Sequence, residues 1–443
     1  MSIPYLTRLL PGVVGLAGCV ADAGVRQHDA MYAAVSRAAT ERAQAPELDA
    51  ASLAVHGELD RAALVAAVLA RNPDLDAARA AWRAAVAAYP SAVALDDPMA
   101  SYALAPFSIG ADARFGQRVE IAQKLPWPGQ RAARGEAALA DAEAAQADFE
   151  SLRLDLAEAA VQAFDDDYVA ARALAINQHH RELLARIETS AMAQYSAGRA
   201  SQQDPLEVRV HVLELDRERL MLDRQQRAAT ATLNRLLHRK ADAPLPPPPA
   251  RLAVASPGGP RTEHPRQRAA SARVRGRRAE VDGANLAFYP GFELMGSYDS
   301  MWDVWQHRWM IGVGIEIPIQ RGKRRAELER ARAEQARAEA ELASVTDSID
   351  EGRERARRDA DELTRALALY EQLLLPTTRE RVDAALAGYA TGQTPFSTVV
   401  MAEHEQRDVE LAIERTRADL DRQLAALDRL DGRIPGQISG GAR

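Results

Sequence analysis

The 443-residue sequence is poor in cysteine, in aromatic side chains and in net charge, and each shortage excludes a class of protein. The single cysteine, Cys19, excludes an intramolecular disulfide and any metal site with several cysteine ligands. A net charge of -7, from 56 basic and 63 acidic residues, lacks the basic excess that marks nucleic-acid binding. Aromatic residues make up 5% of a chain that is 47% hydrophobic. Much of the apolar content is alanine, which favours closely spaced helices over a thick globular core.

Sequence signatures of catalysis are also missing. The chain has no His-Glu-x-x-His, no Gly-x-Ser-x-Gly and no phosphate-binding loop, so we expect no enzyme, no cofactor and no bound metal. His179 and His180 are neighbours on a predicted helix and point in different directions, so we expect a solvated pair. Residues 165–167, three aspartates, are expected to form a solvent-facing charged patch.

Residues 1–18 are predicted to be a lipoprotein signal peptide. Arg8 supplies a positive charge, an apolar run follows, and Leu16-Ala17-Gly18-Cys19 resembles a bacterial lipobox in which Cys19 is acylated. The alternative is a short apolar start with a chance cysteine. Beyond this segment no stretch is long and apolar enough for a transmembrane helix, and the mean hydropathy is -0.30.

An internal repeat organises the rest of the chain. Landmarks recur 192 to 194 residues apart: Asn72-Pro73 with His264-Pro265, Pro126 with Pro318, Gly129 with Gly322, Tyr195 with Tyr389, and Leu233 with Leu427. A proline-rich linker, 244–261, separates the copies at 58–243 and 262–434, and residues 19–57 and 435–443 flank them.

Both copies predict the same order of elements: a helix, a strand pair, a very long helix, a glycine break and a returning helix. In the first copy the helices are predicted at 58–89, 130–194 and 203–237. In the second they are predicted at 262–286, 323–389 and 396–430, with a kink at Pro376. A plain coiled coil is the alternative, but strict heptads are absent.

Four strands are predicted, at 101–108, 114–125, 289–300 and 308–319. Apolar residues alternate with polar residues or glycine over about ten positions, which is typical of a tilted barrel strand with one face on lipid. A half-buried strand of a soluble sheet has the same pattern. Four of the five tryptophans lie near these segments, as aromatic residues do at membrane interfaces. The residues predicted to face lipid are Phe115, Val119, Ile121, Trp309, Ile311, Val313, Ile315 and Ile317.

Four strands cannot close a barrel, and open edges in lipid would leave backbone groups without hydrogen-bond partners. If these strands lie in a membrane, the chain must therefore oligomerise. Strand number allows a dimer with eight strands or a trimer with twelve.

The ordered, duplicated motifs resemble those of the TolC-type outer-membrane efflux proteins. The matching stretches are Asn72-Pro73-x-Leu75, Gln123-x-Leu125-Pro126-x-Pro128-Gly129, Tyr195-x-x-Gly198, Leu374-Leu375-Pro376 and Tyr389-x-x-Gly392. The resemblance implies a mainly α homotrimer with a small β part, a twelve-stranded barrel in the outer membrane of a Gram-negative bacterium, and long helical hairpins forming a periplasmic α-barrel. It also implies a periplasmic adaptor and an inner-membrane pump as partners.

The resemblance further implies that the two glycine breaks are hairpin tips that contact the adaptor. The predicted contact residues are Ala197, Gly198, Arg199, Thr391, Gly392 and Gln393. The predicted tunnel mouth comprises Asp204 and Glu207 on the first hairpin and Thr398 and Met401 on the second, so a double ring of carboxylates is not expected.

Three functions remain open at this point: a passive export duct for metal cations or small molecules, a lipid-anchored helical scaffold without conductance, and a periplasmic adaptor. The adaptor is the weakest of the three because adaptors lack duplicated strand pairs.

Overall fold

The computed structural model describes residues 22–43, 50–105, 116–198, 200–254, 260–302 and 304–436, and helices account for most of them. In chain order the helices are α1 (Asp22–Ala43), α2 (Arg61–Arg71), α3 (Pro73–Val93), α4 (Gln130–Ser196), α5 (Gln203–Leu236), α6 (Pro265–Leu286), α7 (Arg321–Leu369), α8 (Leu375–Ala390) and α9 (Phe396–Leu430). The strands are β1 (Ala54–Val55), β2 (Glu58–Leu59), β3 (Met99–Ala105), β4 (Gly116–Leu125), β5 (Gly291–Asp299) and β6 (Trp309–Glu316).

The chain divides into two compact units, and each takes segments from both copies of the repeat. The first contains the described residues of Met1–Thr40, Ala78–Phe149 and Arg266–Thr346. The second contains those of Glu41–Ala77, Glu150–Pro265 and Asp347–Arg443. The two copies of the sequence repeat therefore do not correspond to the two compact units.

The predicted helix at 58–89 is wrong in its bounds and its continuity. Residues 58 and 59 belong to β2, and Asp60 caps α2 by accepting a hydrogen bond from the backbone N–H of Ala63 at 2.7 Å. Asn72 has extended backbone angles and ends α2, because a proline follows it and disfavours the helical conformation for the residue before it. Pro73 then begins α3, a position where its missing N–H does no harm.

The two long helices differ in one respect. Helix α4 runs unbroken for 67 residues, about 100 Å at 1.5 Å per residue. Its counterpart in the second copy, for which a kink at Pro376 was predicted, is interrupted by a π-helical turn at Tyr370–Leu374. In this turn the N–H of Leu375 donates to the carbonyl of Tyr370. A π turn accommodates one residue more than an α turn. It thereby accounts for the change in repeat spacing from 193 at Gly129 and Gly322 to 194 at Tyr195 and Tyr389.

In the second unit, both hairpins contribute to one apolar core. Its buried members come from α4, α5, α8 and α9: Leu184, Ile187, Val208, Leu215, Val382, Ala385, Phe396, Val399, Val400 and Ala402. Among the described helices, no segment combines the length and apolar character that a membrane-spanning helix requires.

The strands of the first unit form one antiparallel sheet in the order β3-β4-β5-β6. All four predicted strands are present, with ends shifted by at most three residues. The register pairs Val119 with Tyr102 and Tyr298, and Tyr298 with Trp309. Apolar residues that alternate along single strands therefore lie side by side on one face of the sheet.

Candidate functional site

The two hairpin tips have the same backbone geometry. Gly198 follows α4 with φ 70°, and Gly392 follows α8 with φ 71°, the left-handed conformation that favours glycine. The N–H of Gly198 donates to the carbonyl of Tyr195 at 2.9 Å, and that of Gly392 to Tyr389 at 3.0 Å. A Cβ atom at either glycine would meet no atom within 4 Å of described structure. Backbone angle rather than crowding therefore requires glycine here.

The predicted contact residues at these tips are exposed. Ala197 and Gly198 are open to solvent on the first tip, as are Thr391, Gly392 and Gln393 on the second, and Arg199 lies outside the described residues. The turn role of the glycines is thus explained by the fold. Contact with an adaptor stays a prediction.

The tips are joined by a contact that the sequence did not predict. The hydroxyl of Tyr389 at the end of α8 donates to Oδ2 of Asp204 at the start of α5, at 3.2 Å. Burial, reinforced by the charge of Asp204, raises the pKa of Tyr389 to about 12, so the hydroxyl keeps its donor proton at neutral pH. Tyr389 also packs edge-on against the buried ring of Phe396, with 5.1 Å between centroids. Both members of the bond had been singled out by the sequence, but for separate roles.

The four predicted mouth residues lie on the first turns of α5 and α9. Asp204, Glu207 and Thr398 are half-buried, whereas Met401 is exposed. Glu207 and Met401 line one open groove of about 680 Å³, together with His211 and His404. Among the described residues, no three histidine, cysteine or acidic side chains cluster closely enough to hold a metal ion.

His180 corrects the expectation of a solvated histidine pair. His179 is exposed, but His180 is fully buried between its hairpin and α9. Its Nδ1 donates to Oε1 of Glu403 at 2.6 Å and its Nε2 to Oε2 of Glu410 at 3.1 Å. Burial alone would lower the pKa of His180, but the hydrogen bonds to the two glutamates outweigh it and raise the pKa to about 9. The ring is therefore an imidazolium that bridges two carboxylates. The sequence did not predict this contact because Glu403 and Glu410 lie in the other copy of the repeat.

The aspartate run is likewise not a solvent-facing patch. Asp165 and Asp167 are buried, and only Asp166 is open to solvent. Neither carboxyl oxygen of Asp165 has a hydrogen-bond partner among the described residues, and the nearest cation, Arg422, has its Nε 3.9 Å away. Burial, and then the charge of Asp421, raise the pKa of Asp165 to about 9, so the buried carboxyl is protonated at neutral pH.

One face of the sheet is apolar and exposed across all four strands. Val119 and Ile121 on β4 lie on it, as do the predicted lipid-facing residues of β6, where Ile311 is 87% exposed. Tyr102, Leu104, Leu294 and Tyr298 extend the same face. Ile317 lies beyond the end of β6 and is also exposed. Phe115 and Cys19 lie outside the described residues.

The opposite face of the sheet is polar. It carries Arg118, Glu120 and Lys124 on β4, Glu293 on β5 and Glu316 on β6, and Arg118 lies 3.6 Å from Glu120. The outer strands, β3 and β6, each have a paired neighbour on one side only among the described strands. The sheet therefore has one apolar face, one charged face and two open edges.

The segment 261–433 matches a family model described as outer membrane efflux protein, and this segment coincides with the second copy of the predicted repeat. The outer-membrane channel OprN matches at 22% identity with a TM-score of 0.72, over 83% of this chain and 89% of its own. The chain has the fold of the TolC-type outer-membrane channels.

Two other solved outer-membrane channels also match the chain. The outer membrane protein VceC from Vibrio cholerae covers 84% of this chain and 95% of its own, at 16% identity and a TM-score of 0.72. The Neisseria gonorrhoeae MtrE outer membrane channel, in its open state, covers 84% and 89%, at 18% identity and a TM-score of 0.69. No curated protein sequence matches the chain. The predicted resemblance, including the mainly α fold with a small β part, is confirmed.

Proposed function

We propose that this protein is the outer-membrane channel of a tripartite efflux or export system. Three copies conduct metal cations or small molecules passively, from an inner-membrane pump and a periplasmic adaptor, across the periplasm and the outer membrane. The observation that carries this proposal is the exposed apolar face that continues across all four strands.

Lipid is the environment that fits the apolar face. A water-soluble protein rarely leaves so continuous an apolar surface open. The polar face, with its charged side chains, suits a water-filled interior. The open edges of β3 and β6 would be unpaired in lipid, so each β6 pairs with β3 of the next copy until the cylinder closes. Of the two closures that strand number allows, the trimer is the one the channel fold supports.

The long helices suit a conduit through an aqueous compartment. Helix α4, about 100 Å long, reaches far beyond the ~30 Å hydrocarbon core of a bilayer. At the far end of the hairpins the exposed tip residues Ala197, Gly198, Thr391, Gly392 and Gln393, with Arg199, would contact the adaptor. Acylation of Cys19 would add a lipid anchor in the outer membrane, but barrel closure would hold the protein there without it.

Conductance and insertion test the proposal together. The purified protein in detergent is expected to be a trimer and to conduct ions in planar bilayers. Ile311→Arg places a charge on the proposed lipid face, where it costs about 2–4 kcal/mol at the bilayer midplane, and should sharply reduce inserted trimer. Met310→Arg is the matched control, because it adds the same charge one residue away on the opposite face.

The outcomes separate the candidate functions. Equal loss of insertion in both variants would contradict the assignment of the lipid face. A soluble monomer without conductance would favour the lipid-anchored scaffold.

Tip contact is tested separately. Gln393→Glu changes an exposed tip side chain whose own backbone N–H, bonded to Gly388, is untouched. Export and adaptor pull-down should fall while trimer yield and conductance stay constant. Unchanged adaptor binding in this variant and in Ala197→Glu would contradict the tip assignment.

A further inference from the structure

A group of basic side chains lies just beyond the end of β6. Four of the first five residues of α7 are basic: Arg321, Lys323, Arg324 and Arg325. Arg324 is half-buried and donates to Glu327 at 3.1 Å, and Lys323 approaches the same carboxylate only to 3.8 Å. Arg321 and Arg325 have no hydrogen bond or ion pair with any residue that the structure describes. The three exposed members, Arg321, Lys323 and Arg325, are called the basic cluster below.

The internal repeat shows that a long helix can begin here without these charges. The positions 193 residues earlier, 128–132 at the start of α4, read Pro-Gly-Gln-Arg-Ala. Their one cation is Arg131, whose Nε donates to the carbonyl of Val93 at 2.8 Å and so serves the fold of its own chain. The basic cluster therefore belongs to one copy of the repeat and is not part of the shared plan.

The basic cluster does not stabilise the helix that carries it. Positive charges in the first turn of a helix oppose the helix dipole, which favours acidic side chains there. Arg321 and Arg325 are also four residues apart on one face, where like charges repel each other. Sequences depart from such local rules mainly where a function requires it. The cluster thus calls for an anion that the described part of the chain does not supply.

The cluster begins where the apolar face of the sheet ends. Exposed apolar side chains occupy every second position along β6 and just beyond it: Trp309, Ile311, Val313, Ile315, Ile317 and Ile319. At about 3.3 Å per residue and a tilt of about 40°, the chain from Trp309 to Ile319 spans about 25 Å, the height of the apolar band of a membrane barrel. Arg321 is the next position in this alternation.

Aromatic rings mark the same end of the sheet. Trp127 lies two residues after β4 and stacks on Tyr289, two residues before β5, with 4.9 Å between ring centroids. Strands β4 and β6 run in the same direction, so both lead into their long helices at this end. Tryptophan and tyrosine collect at the boundary between lipid and water. Apolar, aromatic and basic residues therefore follow one another in the order of hydrocarbon, interface and phosphate in a bilayer.

We propose that the basic cluster binds the phosphate groups of anionic phospholipids in the inner leaflet of the outer membrane. This proposal rests on the proposed function, which puts the helical end of the sheet on the periplasmic side. A lysine or arginine close to a membrane surface strengthens binding to anionic lipid about fivefold. The long side chains can lie along the acyl chains while their charged ends reach the phosphates. The lipid thus supplies the counter-charge that the start of α7 lacks.

Lipid binding to the purified full-length trimer tests the proposal. Native mass spectrometry in detergent, with phosphatidylglycerol or phosphatidylcholine added, gives a dissociation constant for each lipid. The wild type should bind phosphatidylglycerol at least about tenfold more tightly, and this preference should shrink as salt screens the charges. The variant with Arg321→Gln, Lys323→Gln and Arg325→Gln should form conducting trimers that bind the two lipids alike.

The matched control removes the same charge elsewhere on the same helix. Arg355→Gln, Arg357→Gln and Arg358→Gln change three exposed residues about 50 Å further along α7 and should keep the preference. Replacing Arg321 and Arg325 by lysine keeps the charge and should also keep most of it. An equal loss of preference in this control and in the cluster variant would mean that net charge alone attracts the lipid, which would overturn the proposal.

The remaining outcomes separate this proposal from the proposed function. Conducting trimers of wild type that bind both lipids equally would refute the lipid site and leave the channel function intact. Displacement of phosphatidylglycerol by an equal concentration of inorganic phosphate would show that the cluster binds a free anion, and would also overturn the proposal. A soluble monomer without conductance would refute the proposed function and, with it, the leaflet assignment.

Discussion

The two helical hairpins of this chain share a backbone plan but differ in the side chains that meet at their faces. Helix α9 buries its face on the first hairpin with charged residues, including Glu403 and Glu410 around His180. At the repeat positions that match Val400, Arg407 and Glu414 of α9, helix α5 exposes Leu206, Leu213 and Leu220. The repeat thus specifies the helices and the turns, whereas departures from the repeat decide which helix faces are buried within the chain.

The tips differ in the same way. Gly198 and Gly392 have nearly equal φ angles, so the chain reversals are alike. Tyr389 is bonded to Asp204, whereas its counterpart Tyr195 is 39% exposed and has no side-chain hydrogen bond within the described ranges. The counterpart of Asp204 is Thr398, which is a poorer acceptor. Within one chain, only one of the two possible tip contacts is made.

The largest expected effect comes from breaking the buried charged seam, the cluster of His180, Glu403 and Glu410. His180→Ala leaves Glu403 without the cation that it pairs with and Glu410 with only Arg379, 3.7 Å away, and removing one partner of a buried ion pair costs about 3–5 kcal/mol. The free energy of unfolding, measured by denaturant titration with far-UV circular dichroism, should fall by this amount. His179→Ala, at the exposed neighbour, should change it by less than about 0.5 kcal/mol. Similar losses in the two variants would mean that the seam contributes nothing specific.

The same seam predicts a dependence on pH. The pKa of His180 is raised to about 9 in the folded protein, above its ordinary value of 6.5. The stabilisation from its charge is therefore fully present below about pH 6.5 and is lost as pH rises through about 9. The other charged groups at the ring are Glu403, Glu410 and, 3.7 Å from Glu410, Arg379. The stability difference between wild type and His180→Ala should shrink over this interval, and a constant difference would contradict an imidazolium.

The features that the sequence predicted correctly are those that the repeat specifies, and the features that it missed lie where the two copies differ. Helices, strands and both glycine turns were predictable, because periodicity and turn chemistry are local. The burial of His180 and Asp165 was not, since the charged residues beside them, Glu403 and Arg422, lie more than 200 residues away in the other copy. The break at Asn72 was misjudged although Pro73 signalled it, because alanine-rich periodicity on both sides suggested one helix. The apolar face was predicted strand by strand, but only the register showed that the four strands share it.

A smaller effect of opposite sign is expected at Asp165, the other buried ionisable group of α4. Its carboxyl has no hydrogen-bond partner in the described chain, and its pKa of about 9 lies far above the ordinary 3.8. Because the pKa of this carboxyl is higher in the folded protein than in the unfolded chain, the free energy of unfolding falls as pH rises from about 4 to about 9. Asparagine has nearly the same shape and takes up no proton on folding, so Asp165→Asn should stabilise the protein by about 2 kcal/mol at neutral pH.

Asp166→Asn is the control for that prediction. Asp166 is exposed and pairs with Arg422 at 2.6 Å, so its loss should cost between about 0 and 1 kcal/mol. Destabilisation by Asp165→Asn would mean that the carboxylate is charged and usefully paired, contrary to its high pKa.

The smallest expected effect concerns the tip contact that only one hairpin pair makes. Tyr389→Phe keeps the ring packed on Phe396 and removes the hydroxyl bonded to Asp204, a loss of about 1 kcal/mol that should shift the population of separated tips about fivefold. Single-channel recordings should show more open time. Tyr195→Phe is the matched control and should leave open time unchanged, because its hydroxyl has no such bond in the described chain.

Asp204→Asn tests the charge of Asp204 separately from its hydrogen bond. The amide oxygen still accepts from Tyr389, so open time should stay near wild type. Any preference for cations should weaken, because the proposed trimer would lose three carboxylates. Increased open time in Tyr195→Phe, or an unchanged one in Tyr389→Phe, would show that the tips are held by something other than this bond.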